Sequence, residues 1–109
     1  MSLSDSVLLS HILDEANFIV ETVRGKSQDE VLNDPIIFRA VVRSIEIIGE
    51  ATKKLSDDFK AQHPEIEWKK MARTKDVLIH AYFAIDNEII WGIIQEKIPP
   101  LQRYIMTII

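Results

Sequence analysis

A histidine lies close in sequence to two basic residues in one short stretch of this chain. Arg73 and Lys75 precede His80, and Tyr82 follows it. Because histidine titrates near neutrality, its side chain can take a proton from a ribose oxygen or return one to it. A fixed cation can stabilise the negative charge that builds up on a phosphate in the transition state. The stretch therefore predicts RNA cleavage without a metal ion, with His80 as the general acid or base.

Two residues compete for the role of that cation. On a regular helix, which turns by about 100° per residue, Arg73, Asp76 and His80 share one face, and Lys75 points about 140° away from His80. Arg73 is then the better partner, and Asp76 can orient the cation or the histidine. If the helix loosens before His80, or if two subunits share the site, Lys75 can converge on it equally well. The spacing leaves both interpretations open.

A charged stripe on an earlier helix could support this site. Arg39, Arg43, Glu46 and Glu50 recur at spacings of four, three and four, so they share a face opposite the apolar residues. One interpretation is a solvated face with ion pairs. The other is that the stripe lines a cleft or a dimer interface and positions the histidine-bearing helix, with Gly49 allowing a close backbone approach.

Composition limits the class of protein. The 109 residues are 47% hydrophobic and 28% charged with three Gly and four Pro, which is typical of one compact helical domain spanning residues 1–109. The absence of cysteine excludes disulfides, thiolate metal sites and a cysteine nucleophile. A net charge of −4 argues against a general nucleic-acid coat protein, so any RNA contact is expected to be local.

No cofactor is indicated by the sequence. His11, His63 and His80 lie far apart and lack the close pairing of metal ligands, so we expect no metal site. The first residues do not resemble a signal peptide, and no uninterrupted apolar run of about 18 residues occurs. We therefore expect a soluble, cytoplasmic protein with no membrane contact.

The hydrophobic periodicity predicts helices throughout the chain and no strand. A first amphipathic helix is expected from about Ser4 to Arg24, stopped by Gly25, and a polar segment without periodicity follows it. Asp34 and Pro35 are the N-cap and first residue of a second helix that we extend to about Phe59. Its apolar seam suits antiparallel packing, and one position of that seam is polar: Phe38, Val41, Ile45, Ile48, Thr52 and Leu55.

The second half of the chain predicts two further main helices. After the interruption at His63-Pro64-Glu65, a third helix is expected from near Trp68 into the His80 region. Asp86 is the expected N-cap of a fourth helix, which Pro99-Pro100 should end or kink. The predicted fold class is all-α, a four-helix up-and-down bundle with a short C-terminal fifth helix.

Several longer segments resemble, in order and spacing, the HepT-like ribonuclease toxins of the HEPN superfamily. The motif of that superfamily is an arginine followed after four to six residues by a histidine, and in the HepT-like members a tyrosine stands two residues beyond the histidine. The similar segments cover nearly the whole chain: RSIEIIGEATKKLS (43–56), HPEIEW (63–68), DVLIHAYFAID (76–86) and EIIWGIIQEKIPPL (88–101).

The resemblance implies a helical domain that forms a homodimer and brings two histidine motifs together in a cleft. It also implies a metal-independent endoribonuclease toxin that acts on tRNA or mRNA. The implied partner is a minimal nucleotidyltransferase of the MNT type, an antitoxin that transfers adenylate from ATP onto the motif tyrosine, here Tyr82. The added phosphate would carry negative charge into the place where the RNA phosphate must bind.

One residue departs from the family motif, because Lys75 stands where an ungapped alignment expects the arginine. Lysine provides a point charge but lacks the planar bidentate fork of arginine. An alternative is therefore a catalytically degenerate interaction module that dimerises and binds the nucleotidyltransferase. A third interpretation takes Lys69, Lys70, Arg73 and Lys75 as a cluster that holds ATP phosphates, although the chain has no glycine-rich phosphate loop.

Overall fold

The computed structural model describes residues 3–78 and 86–109, which are helices and short connections without a strand. This confirms the all-α fold class. His80 and Tyr82 lie outside the described residues. Residues 74–78 are helical, Ile93–Lys97 form a π-helical turn, and the remaining helices have the following bounds: α1 (Leu3–Val23), α2 (Gln28–Leu32), α3 (Pro35–Lys54), α4 (Asp57–Gln62), α5 (Trp68–Ala72), α6 (Asn87–Gly92) and α7 (Ile98–Ile108).

The two long helices α1 and α3 pack against each other to form the centre of the core. Asp5, near the start of α1, accepts hydrogen bonds from Ser56, just beyond the end of α3, so the two helices run antiparallel. Helix α7 also packs on α1, where Gln102 donates to Asn17 across 2.7 Å. The predicted seam of α3 faces this core, because Phe38 is half-buried and the other members are buried: Val41, Ile45, Ile48, Thr52 and Leu55. Within the described ranges, no helix is both long and apolar enough to cross a membrane.

The polar segment after the first helix contains a short helix that the periodicity did not predict. Gly25 does end the first helix, with a φ of +72°. Helix α2 then begins with a capping box, in which the Glu30 amide donates to the Ser27 hydroxyl and the Ser27 amide donates to the Glu30 carboxylate. The sequence signal was this Ser-x-x-Glu spacing, because a five-residue helix is too short to show an apolar stripe.

The second predicted helix is shorter than expected, since α3 ends at Lys54 and not near Phe59. Ser56 ends it by capping α4, with its hydroxyl accepting from the Phe59 amide. Leu55 between the two helices has extended geometry and remains buried. A side-chain cap at Ser56 competes with helix continuation, and the bonds to Asp5 stabilise the break.

The proline pair changes the last helix without ending it. Asp86 caps α6 as predicted, accepting from the Ile89 amide. Helicity then continues through a π turn in which the Ile98 amide donates to the Ile93 carbonyl, and α7 starts with the prolines in its first turn. The wider turn fits two residues that lack amide donors and whose rings crowd the carbonyls one turn back.

A side-chain cluster joins α7 to the connection between α4 and α5. The Tyr104 hydroxyl donates to Glu65 across 2.8 Å, so His63 Nδ1, at 2.7 Å from the same oxygen, must be the donor in its own bond to Tyr104. Trp68 Nε1 donates to the His63 carbonyl, and Phe59 packs on the His63 ring. The predicted interruption at His63-Pro64-Glu65 is confirmed, and this cluster gives it a fixed geometry.

Candidate functional site

The segment that leads to His80 is not a regular helix. Helix α5 ends at Ala72, Arg73 lies in a turn, and residues 74–78 are helical again. Thr74 is buried and its hydroxyl donates to the Met71 carbonyl across 2.7 Å, which holds the turn in place. The prediction of one continuous helix from Trp68 was therefore wrong. The rotation of about 100° per residue therefore cannot be counted from Arg73 to His80, and it no longer favours Arg73 over Lys75 as the cation.

Gly49 brings α3 against the backbone of this segment. A Cβ atom at Gly49 would lie 2.9 Å from Thr74 Oγ1 and 3.3 Å from the Lys75 amide nitrogen. Distances this short leave no room for a side chain without displacement of the neighbouring segment. The expected close backbone approach at Gly49 is present, and it lies directly beside the candidate cation.

Lys75 forms an ion pair with Glu50 on α3. Lys75 Nζ lies 3.0 Å from Glu50 Oε1, and the side chains are 45% and 41% exposed. The hydrogen bond and charge of Glu50, with smaller contributions from the Glu46 and Asp76 charges, raise the pKa of Lys75. The Lys75 ammonium in turn lowers the pKa of Glu50, assisted by the Arg43 and Lys54 charges. Both groups are charged near neutral pH and remain accessible to a ligand.

Around this ion pair lies an open cleft of about 550 Å³, which we call the Lys75 cleft. Its size falls within the roughly 300–1,000 Å³ that is usual for small-ligand sites. Asp76 lies in this cleft and is exposed. The lining residues come from the last half of α3 and from the segment after α5: Gly49, Glu50, Lys53, Lys54, Ala72, Lys75 and Asp76.

Arg73 lines a different groove, of about 350 Å³, on the side of α6 and the π turn. That groove is largely apolar, and Val77, Ile89, Ile93 and Lys97 are among the residues that line it. Arg73 and Lys75 thus lie in separate surface depressions. Between these two, Lys75 is the cation that shares a cleft with Asp76 and contacts α3.

The two ends of the charged stripe of α3 fit different interpretations. Arg43 and Glu46 form a surface ion pair of 3.3 Å, and Arg39 is exposed, so this end of the stripe is solvated. Glu50, at the other end, contacts Lys75. The stripe reaches the candidate site through Glu50, whereas Arg43 and Glu46 act on it at longer range through their charges.

Lys53 and Lys54 are cleft residues that sequence reasoning missed. Both are exposed and line the Lys75 cleft at the end of α3. Many helices end in basic residues, so the sequence offered no reason to select these two lysines. The packing of α3 on the segment after α5 is what places them in the cleft. Within the parts of the chain that the structure describes, no group of three histidine or carboxylate side chains is arranged to hold a metal ion.

Known proteins that match this chain are named as ribonucleases. A family model described as "Ribonuclease HepT-like" matches residues 12–108. The chain is 44% identical over 101 residues to "Putative RNase TTE0752" of Caldanaerobacter subterraneus subsp. tengcongensis, covering 93% of this chain and 90% of that relative. It is 42% identical over 102 residues to "Probable ribonuclease HepT" of Thermococcus cleftensis, covering 94% and 93%. No solved structure matches the chain significantly.

Proposed function

Because this chain belongs to the HepT-like ribonuclease family, we propose that it is a metal-independent endoribonuclease that cleaves tRNA or mRNA. The observation that carries the proposal is the position of Lys75. This residue presents an ammonium group in an open cleft, and it stands five residues before His80 in the chain. A histidine near a phosphate-binding cation is the minimum that transesterification of RNA requires.

In the proposed reaction a ribose 2′-hydroxyl attacks the adjacent phosphorus. His80 removes the hydroxyl proton or protonates the leaving 5′-oxygen, while Lys75 stabilises the extra negative charge on the phosphorane. The O2′–P bond forms and the P–O5′ bond breaks, which gives a 2′,3′-cyclic phosphate and a free 5′-hydroxyl. Asp76, in the same cleft, orients the cation. Arg73 is retained as the competing cation.

Glu50 gives Lys75 a defined place before substrate arrives. In the free protein the carboxylate holds the ammonium group at 3.0 Å, yet both side chains remain partly exposed. An exposed ion pair is weak, so a phosphate oxygen can replace Glu50 as the partner of Lys75. The arrangement favours a cation that is positioned in advance and released to the substrate at low cost.

We further propose that the protein is the toxin of a toxin–antitoxin pair and acts as a homodimer. Its partner would be an MNT-type minimal nucleotidyltransferase that transfers adenylate to the Tyr82 hydroxyl. Tyr82 stands two residues beyond His80, so an adenylate there would bring phosphate charge close to the catalytic histidine. Incubation with such a transferase and ATP is expected to add adenylate mass to the protein but not to a Tyr82→Phe variant, and to stop cleavage.

A second candidate function is a non-enzymatic module that dimerises and binds the transferase. The specific observation in its favour is that Lys75, a lysine at the position of the family arginine, is paired with Glu50. A lysine whose charge is compensated stabilises a phosphorane less than a free bidentate arginine would. The two functions differ in whether RNA is cut.

The test is incubation of the unmodified protein with total tRNA in EDTA, followed by mapping of the cleavage ends. We expect cleavage that is lost in His80→Ala, strongly reduced in Lys75→Gln and nearly unchanged in Arg73→Gln. Retention in Lys75→Gln with loss in Arg73→Gln would transfer the cation role to Arg73. Ends that carry 5′-phosphate would refute the mechanism. No cleavage by a protein whose intact mass shows no adenylate would favour the interaction module.

A further inference from the structure

The α3 wall of the Lys75 cleft carries two lysines that form no ion pair with any residue the structure describes. Lys53 and Lys54 are exposed, and within the described residues neither has a carboxylate within salt-bridge distance. In contrast, Lys70 pairs with Glu67 at 2.6 Å and Lys75 with Glu50. The cleft thus holds two cations that are available to an anionic ligand beside one that is already positioned.

The charge of the cleft contrasts with that of the whole chain. Its lining includes three ammonium groups and two carboxylates, Glu50 and Asp76, which leave one net positive charge. The full sequence carries a net charge of −4. A locally positive cleft on an acidic protein attracts phosphates to one place on the surface.

A basic helix end also has a structural explanation, since lysines stabilise the negative end of the helix dipole. Here that end has another donor, because Lys60 Nζ lies 3.5 Å from the Lys53 carbonyl oxygen, and the Leu55 amide donates to the Thr52 carbonyl. The side chains of Lys53 and Lys54 are therefore not needed for these two carbonyls.

The spacing along α3 suits a chain of phosphates. Lys54 follows Glu50 by four residues, so the two side chains lie one helical turn apart on one face, with about 5–6 Å between their Cβ atoms. The Lys75 ammonium group donates a hydrogen bond to Glu50, so it lies beside Glu50 on this face of α3. A backbone that places one phosphate at Lys75 can place its neighbours along the last turn of α3.

We propose that the Lys75 cleft is the path of the RNA backbone, in which Lys53 and Lys54 bind the phosphates next to the one held at Lys75. This inference rests on the proposed ribonuclease function. It adds the path that the bound RNA backbone follows from Lys75 along the last turn of α3. The lysines act as point charges on phosphate, so they confer affinity without sequence preference.

The test measures binding of a fluorescent 2′-O-methyl RNA oligonucleotide, which lacks the attacking hydroxyl, by anisotropy over a range of salt concentrations. We compare the full-length parent with Lys53→Gln/Lys54→Gln. The matched control is Lys26→Gln/Lys97→Gln, which removes the same charge from exposed lysines outside the cleft. Each lost phosphate contact reduces the slope of log affinity against log salt by about 0.7 for single strands, so the cleft variant should lose about 1.4.

The expected result is a reduced slope and weaker binding in the cleft variant, little change in the control and recovery in Lys53→Arg/Lys54→Arg. An equal effect of both Gln pairs would show general charge attraction and overturn the inference. If the slope is unchanged in the cleft variant but the parent cleaves RNA in a way that depends on His80, this inference is overturned and the proposed ribonuclease function stands. A parent that neither binds the RNA nor cleaves tRNA would overturn the proposed function with it. Thermal unfolding of each variant verifies that the fold is retained.

Discussion

At Lys75 the same ammonium group contacts a carboxylate in the free protein and is proposed to contact a phosphate in the complex. Glu50 lies 3.0 Å from it, and both side chains are partly exposed, so a ligand can approach the ammonium group from solvent. Under the proposed mechanism, the Glu50 carboxylate would have two opposed effects on substrate binding. It would position the cation, and it would compete with phosphate for that cation.

Replacing Glu50 by Gln should separate these effects. The amide keeps the shape of the side chain but removes the competing charge, so we expect tighter binding of 2′-O-methyl RNA and slower turnover of cleavable RNA. The gain in affinity should disappear in a Lys75→Gln background, because the effect acts through Lys75. Equal gains with and without Lys75 would mean that Glu50 only repels RNA through its charge and does not position the lysine.

At the scale of elements, α3 and the segment after α5 form the site by approaching each other at Gly49. The approach depends on a residue without a side chain, on Thr74 anchored to the Met71 carbonyl, and on the turn at Arg73. Two separate stretches of sequence are involved. Helix periodicity could predict α3 and the start of α5, but the break at Arg73 arises from packing on α3 and from the buried Thr74 hydroxyl.

Gly49→Ala should displace the Lys75 segment. The added methyl group would lie 2.9 Å from Thr74 Oγ1 and 3.3 Å from the Lys75 amide nitrogen, so we expect a loss of about 1–3 kcal/mol of unfolding free energy together with reduced cleavage. Gly92→Ala is the matched control, because nothing lies within 4 Å of its added Cβ and it should stabilise its helix by up to about 1 kcal/mol. Urea unfolding and tRNA cleavage measure both effects. A neutral Gly49→Ala would contradict the close approach.

The break between α3 and α4 has its own test at Asp5. This buried carboxylate accepts from the Ser56 amide at 2.9 Å and from the Ser56 hydroxyl at 2.7 Å. Asp5→Asn removes the charge and presents an NH2 donor to one of these donors, so we expect a loss of about 1–3 kcal/mol by urea unfolding. Asp14→Asn changes an exposed carboxylate of the same helix and should be nearly neutral. Similar losses of unfolding free energy in the two variants would show that the Asp5 contact stabilises the fold no more than an exposed carboxylate does.

For the molecule as a whole, the free energy of unfolding should decrease at both acid and alkaline pH. The pKa values of Glu50, Glu65 and Glu67 lie below 4.5, mainly because these carboxylates accept hydrogen bonds from Lys75, Tyr104 and Lys70, respectively. Their contribution is present above 4.5 and is lost as pH falls through the lowered values. The pKa of Lys75 is raised above 10.5, mainly by the Glu50 hydrogen bond, and that of Tyr104 above 10.0, mainly by desolvation. These contributions are lost as pH rises through the raised values.

Thermal unfolding between pH 3 and 11 should therefore show a plateau in Tm that falls at acid and at alkaline pH. Glu50→Gln should remove the contribution of Glu50 to the acid decline and reduce the alkaline contribution of Lys75, while leaving that of Tyr104. A Tm that keeps rising as the solution is acidified below pH 4 would contradict the assigned directions.

The sequence by itself determined the class of fold and the family. The apolar spacing of α1 and α3, the Asp34-Pro35 start and the Asp86 cap are local signals, because a helix is specified by residues three and four apart. The resemblance in the segments around Gly49, His63 and His80 identified the HepT-like family, which the family model confirms. His80 and Tyr82 remain predictions from sequence, since both lie outside the described residues.

Only the tertiary structure decided which side chains share the Lys75 cleft. Glu50 and Lys75 are 25 residues apart, and Asp5 and Ser56 are 51 apart. Such contacts depend on how helices pack, and packing follows the shapes of whole surfaces and not the residues next to each other in sequence. The same reason explains why Lys53 and Lys54 could not be singled out from the chain, and why a regular helix through Arg73 was the wrong expectation.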